Sequence, residues 1–153
     1  MERASGYVQI GEAAARAGVT QRTLRYYEEL KLLSPASRME GGFRLYSPDD
    51  LERIIYIKNL RDTLGFSLAE IKEMIEAEDA RNQLKHELHQ TDSLEPRRAR
   101  LQQLREVALR QMRIVNEKRQ RLKEMRAHIQ DRIDRVDALL REVADREVDT
   151  IPR

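Results

Sequence analysis

Residues 8–33 read VQIGEAAARAGVTQRTLRYYEELKLL, and the organisation of the chain follows from them. The spacing predicts two short helices hinged at Gly18-Val19-Thr20. In the first, Ile10, Ala13, Ala14 and Ala17 recur at helical spacing and form one small apolar face. Gly18 follows the last of them, where a left-handed C-cap favours a residue without a Cβ. Thr20 is suited to cap the second helix, and Val19 with Leu24 makes the apolar pair of a hydrophobic staple across it. In that second helix Leu24 and Tyr27 share one side, while Gln21, Arg22, Arg25 and Tyr26 largely share another. Two short helices, a tight turn and a cationic second helix make a helix-turn-helix pattern. The competing reading is an ordinary helical hairpin with a solvated basic face.

Downstream, SPASRMEGGFRLYS spans residues 34–47. Pro35 ends helical structure. Gly41-Gly42 suits a tight hairpin turn, and Phe43 and Leu45 alternate with Arg44 and Tyr46 as a strand does. This is expected to be a wing, with Arg38 and Arg44 flanking its turn and able to reach phosphates beside a groove. The alternative is a loop with two solvated arginines.

Ser47-Pro48-Asp49-Asp50 is a helix start: Ser47 caps, Pro48 takes the first helical position and Asp50 completes a capping box. Leu51, Ile54, Ile55, Ile57, Leu60 and Leu64 are expected on its apolar side, and Gly65 stops it. Phe66 and Ile71 form a second staple around Ser67, with Glu70 closing another capping box. Leu68, Ile71, Met74 and Ile75 are expected to face the core. Lys58 and Arg61 lie on the polar side, where they are candidates for the DNA backbone or are simply solvated.

Residues 76–93, EAEDARNQLKHELHQTDS, are polar without a firm period. They predict a short helix around Arg81–His89 followed by a linker. His86 and His89 could share a helix face, but no third ligand accompanies them, so no metal site is expected. From Leu94 the period changes. Leu94, Leu101, Ala108, Val115, Leu122, Ile129, Val136 and Val143 are spaced by seven, with Leu104, Met125 and Leu139 three further on. Met112, Ile133 and Leu140 widen the stripe, and Gln111, Lys118 and Arg132 interrupt its second row. This is an imperfect heptad seam. As one helix, residues 94–143 would run about 75 Å. A stripe that long needs a partner helix, and the economical partner is a second copy of the chain.

Composition agrees. Of 153 residues, 37% are charged and 5% aromatic, and mean hydropathy is −0.74, so much of the chain must be long, solvated helix or disordered. The net charge of +2 is too small to argue for nucleic acid by itself; local clustering must carry that claim. The absence of cysteine excludes disulfides, thiolate metal sites and thiol switches. No apolar run approaches the roughly 20 residues of a membrane span, and MERASGYVQ has no signal-peptide core, so a cytoplasmic protein is expected. No phosphate loop, nucleophile motif or His-carboxylate constellation stands out, so no enzyme is expected.

IGEAAARAGVTQRTLRYYEELKLL followed by GGFRLYSPDDLERIIYIKNLRDTLGFSLAEIKEMI resembles the DNA-binding domain of the MerR family of bacterial transcription regulators. The resemblance covers residues 8–77 and rests on TLRYYE, GGFRLY and GFSLAEIK occurring in order. It implies a mainly α chain: a winged helix-turn-helix domain over 7–77, a linker with a short helix over 78–93, and a coiled-coil dimerisation helix over 94–146. It also implies a dimer on double-stranded promoter DNA, bending and untwisting a palindromic operator so that RNA polymerase meets realigned promoter elements. Thr20, Gln21, Arg22 and Thr23 are then the candidates for bases or nearby phosphates. Arg25, Tyr26, Arg38, Arg44, Tyr46, Lys58 and Arg61 are the candidates for the backbone. No cofactor is implied. With thiolate sensing excluded, what remains is a small organic effector, expected near Leu84, Leu88 and Leu101, or no effector at all, with that apolar face merely docking on the dimer. The alternative function is a coiled-coil structural or adaptor protein whose first domain binds DNA or protein without regulating a promoter.

Overall fold

The computed structural model describes residues 6–34 and 42–149, and the backbone alone of 37–38. In chain order it comprises β1 (Val8–Gln9), α1 (Ile10–Ala17), α2 (Gln21–Glu29), β2 (Ser37–Arg38), β3 (Arg44–Tyr46), α3 (Pro48–Lys58), a π-helical turn (Asn59–Thr63), α4 (Leu68–His89) and α5 (Leu94–Asp149). Two compact units divide it, residues 1–111 and 112–153.

In the first unit α1 and α2 form as the spacing predicts. Gly18 sits at φ +67° and closes α1, its N–H donating to the carbonyls of Ala14 and Ala15. Thr20 caps α2 by accepting from the Thr23 N–H at 3.1 Å. Ala13, Ala14, Ala17, Leu24 and Tyr27 are buried together with Val8, Tyr46, Ile54, Ile57, Leu60, Phe66, Ile71, Met74 and Ile75. Both further capping boxes are present. Asp50 and Glu70 each accept from the N–H of the cap serine three residues earlier, while Ser47 and Ser67 accept in return.

The hairpin has a third strand. β3 lies between β1 and β2, antiparallel to both, with Val8 opposite Tyr46, Ser37 opposite Leu45 and Arg38 opposite Arg44. Pro35, Gly41 and the side chain of Arg38 lie outside the described residues. Three expectations about the next helices need correcting. Ile55, Leu64 and Leu68 are exposed, because Ile54, Ile57 and Leu60 already fill the side of α3 and its π-turn that faces the core. The π-turn itself, closed by Gly65 at φ +62°, replaces a straight helix end. And 81–89 is not a separate short helix: α4 runs unbroken from Leu68 to His89. Its polar half is held by local pairs, Arg81 with Glu78 and Gln83 with Glu87, while Ala77 is buried.

α5 is continuous over 56 residues, with Pro96 in its first turn where a missing N–H costs nothing. In the first unit its Arg100 Nε meets Glu87 Oε2 at 2.7 Å. Along α5 the seven-spaced Leu101, Val115, Leu122, Ile129, Val136 and Val143 are exposed, whereas Val107 and Ile114 are buried. No helix among the described residues is long and apolar enough to cross a membrane.

Candidate nucleic-acid interface

The candidate surface is built on α2. Packing Leu24 and Tyr27 inward leaves Gln21, Arg22, Arg25 and Tyr26 exposed on the opposite side. No acidic residue occupies the first turn of α2, so its free N–H groups present positive potential undiminished. Arg22 and Arg25 have no ion-pair partner among the described residues. That contrasts with Arg16, Arg53 and Arg81, which are paired with Glu12, Asp79 and Glu78. Two unpaired guanidinium groups on one short helix face suit an external anion.

Other elements bring further cations to this surface. Lys58 approaches the α1–α2 turn, where a Cβ on Gly18 would meet its Nζ at 2.7 Å. Arg61, on the π-turn, lies near enough to Tyr26 and Tyr27 for electrostatic interaction, and its Nε donates to Asp62 Oδ1 at 3.0 Å. Arg44 of the wing reaches back to α2, its Nε 3.0 Å from Glu28 Oε2. Thr20 and Thr23 hold each other, with hydroxyl oxygens 2.8 Å apart, so Thr23 is half-buried and engaged in the cap. Of Arg38 only the backbone is described, opposite Arg44 in the sheet.

Tyr46 does not belong to the exposed set. It is 1% exposed and its hydroxyl donates to Glu28 Oε1 at 2.5 Å. Strand alternation puts Arg44 and Tyr46 on the same face of β3, and both reach Glu28. Burial and the Glu28 carboxylate push the Tyr46 phenol well above its ordinary pKa. Tyr27 is raised by burial too, and its hydroxyl has no hydrogen-bond partner among the described residues. Sequence reasoning passed over Glu28, the first of two adjacent acids in the last turn of α2, whose partners lie sixteen and eighteen residues on. It also passed over Arg53, which donates from Nε to the Leu32 carbonyl at 2.6 Å and from its terminal nitrogens to Asp79. That side chain ties the segment after α2 to α4.

A groove of about 800 Å³ opens between α3 and α4, lined by Glu52, Arg53, Tyr56, Ile75, Glu78 and Asn82 among others. It is separate from Leu84 and Leu88, which are half-buried. Among the described residues no group of three or more histidines and carboxylates could hold a metal ion.

A model describing the MerR HTH family of regulatory proteins matches residues 8–78. The HTH-type transcriptional regulator YfmP of Bacillus subtilis is 35% identical over 114 residues, which is 73% of this chain and 80% of that protein. The chain belongs to the MerR family. The HTH-type transcriptional regulator ZntR of Escherichia coli K12 is 48% identical over 67 residues, 44% of this chain and 47% of that one. This MerR chain thus spans most of one curated relative and about half the length of the other. Among solved structures, the transcription regulator PbrR691 of Ralstonia metallidurans, in complex with lead(II), superposes with a TM-score of 0.51 at 25% identity, covering 95% of this chain and 90% of that one. As a MerR member the chain is a DNA-binding transcription regulator, and the family is one of regulators rather than enzymes.

Proposed function

We propose that the chain binds a palindromic promoter operator as a homodimer and controls transcription by distorting the DNA, so that RNA polymerase meets realigned promoter elements. The observation that carries this reading is the exposed face of α2, where Arg22 and Arg25 stand without anionic partners among the described residues, beside a wing. On this reading residues 7–77 grip the duplex, 78–93 connect, and 94–146 pair with a second copy. α2 lies in the major groove, where Gln21, Arg22 and Thr23 meet base edges or adjacent phosphates and Thr20 orients the helix start. Arg25, Tyr26, Arg38, Arg44, Lys58 and Arg61 meet the backbone, which sets register and salt dependence. Tyr46 serves the fold instead.

The protein works in the cytoplasm, where the promoter is. Its effector is a small organic molecule rather than a soft metal ion, because the chain has no thiolate to offer.

The test is selection of bound DNA from a random pool by the full chain. An inverted repeat with two half-sites about one helical turn apart is expected. No enrichment of any sequence would overturn the reading. Arg22→Ala and Arg25→Ala then divide the face. A base-reading arginine loses about 1–3 kcal/mol on one base and relaxes specificity there, whereas a phosphate-binding one weakens every sequence alike and flattens the salt dependence.

A further inference from the structure

Glu28 is an anion in a place where DNA binding would not call for one. It ends the helix proposed to read bases, yet its side chain is only 12% exposed. Both oxygens face the wing strand β3: Oε1 accepts from the Tyr46 hydroxyl at 2.5 Å, and Oε2 forms an ion pair with Arg44, whose Nε is 3.0 Å away. Glu28 is the one acid paired with Arg44 among the described residues, and the Arg44 side chain remains 32% exposed. In the sheet register Arg38 is paired with Arg44.

We propose that Glu28 is a positioning residue for DNA recognition. It holds the wing arginine Arg44 by its Nε against the end of α2, leaving the terminal nitrogens to take a backbone phosphate. The inference deepens the reading of the chain as an operator-binding regulator and rests on it. An arginine fixed along one edge keeps a second edge of donors in a rigid plane, which suits phosphate and which lysine cannot copy. Because the same carboxylate also holds Tyr46 in the core, helix and wing meet the duplex as one body rather than two. The carboxylate further cancels most of the charge that Arg44 would offer to any polyanion. It therefore trades affinity for DNA in general against affinity for the shape and register of one site.

The experiment measures binding of the full chain to its selected operator and to random duplex across a salt series. Glu28→Gln keeps the shape and an acceptor for Tyr46 but removes the charge that holds Arg44. The ratio of operator to random affinity is expected to fall about tenfold, about 1.4 kcal/mol. Binding to random DNA should strengthen and its salt slope steepen by about one unit, as for one further phosphate neutralised. In an Arg44→Ala background Glu28→Gln should leave the ratio unchanged, since nothing remains to position. A purely structural role would lower it equally in both backgrounds, and that result overturns the proposal, as does an unchanged ratio in the wild-type background. Far-UV circular dichroism checks that Glu28→Gln folds; if it does not, Arg44→Lys carries the test. That variant keeps the charge but loses the second edge, so its ratio should fall similarly, and an unchanged ratio overturns the proposal. Wild-type protein with no operator preference would instead refute the regulator reading itself.

Discussion

Two buried tyrosines from the same packed layer differ in one hydrogen bond, and that difference sets their stability roles. The Tyr27 ring fills the core under α2, but its hydroxyl is buried without a partner among the described residues. A buried unsatisfied polar group costs about 1–3 kcal/mol, so Tyr27→Phe should raise stability by about 1 kcal/mol, read from the midpoint of urea unfolding. Tyr46 is satisfied by Glu28. Tyr46→Phe should lower stability by about 1–2 kcal/mol, since a hydrogen bond to a carboxylate is lost and the acceptor stays in place. The two also respond to alkali. Burial, then the hydrogen bond to Glu28, lifts the Tyr46 pKa above its unfolded value of 10.0. A group that holds its proton more tightly when folded contributes fully below pH 10 and loses that contribution as pH rises beyond it. Melting temperature should therefore fall more steeply above pH 10 in wild type than in Tyr46→Phe; parallel profiles would rule out Tyr46 as the source. None of this was legible in sequence. That Leu24 and Tyr27 face inward follows from helical spacing, but the partner of each hydroxyl depends on residues brought together by the sheet and the π-turn.

At the scale of elements, what could be read was whatever the chain encodes within four residues. The capping boxes at Ser47 and Ser67, the Thr20 cap and the Gly18 C-cap all formed as the local pattern dictates. A two-residue strand such as β1 has no period to detect, and it is held only by pairing with β3. The apolar face of α3 was read too wide because a π-turn shifts register at Asn59, leaving Leu64 exposed. α4 was cut short because its second half lacks an apolar period, though its intrahelical pairs support it. The exposed α2 face was legible; the withdrawal of Tyr46 from it was not. Gly18 joins local signal to site. At φ +67° an alanine is strained by about 1 kcal/mol, and its Cβ would press on Lys58 Nζ at 2.7 Å. That ammonium ends a flexible chain and can swing away, so Gly18→Ala should fold with a lowered urea midpoint. With Lys58 displaced from the turn, its operator affinity should also fall and its salt slope should flatten. A variant with the wild-type midpoint and slope would remove Lys58 from the interface.

For the molecule as a whole, the deciding feature is the apolar stripe that one chain leaves in water. In the second unit Leu122, Met125, Ile129, Val136, Leu139, Leu140 and Val143 are all exposed, each between 42% and 61%. The seven-residue spacing was plain in the sequence, but the helix has a second row it did not suggest. Val107 and Ile114, also seven apart, are buried, and the half-buried Gln111 and Lys118 that seemed to interrupt the seam flank them. The seven-spaced row left in solvent is the one available to a second copy. Fully covering a Leu or Ile side chain contributes about 1.5–3 kcal/mol, so a stripe of this length suffices for a stable pair once rigid helices meet. Replacing both Leu122 and Ile129 by Lys places charges where the seam must exclude water. The double variant should sediment as a monomer of 18.0 kDa, while the first unit, which neither residue belongs to, keeps its fold. Operator binding then separates pairing from recognition. In a dimer the second half-site is met at an effective concentration in the millimolar range, which raises affinity by about 100-fold or more. The double variant should lose at least that much on the full inverted repeat but bind an isolated half-site as wild type does. A wild-type chain that sediments as a monomer at micromolar concentration, or a variant that keeps full-operator affinity, would show that this stripe does not pair the regulator on its DNA.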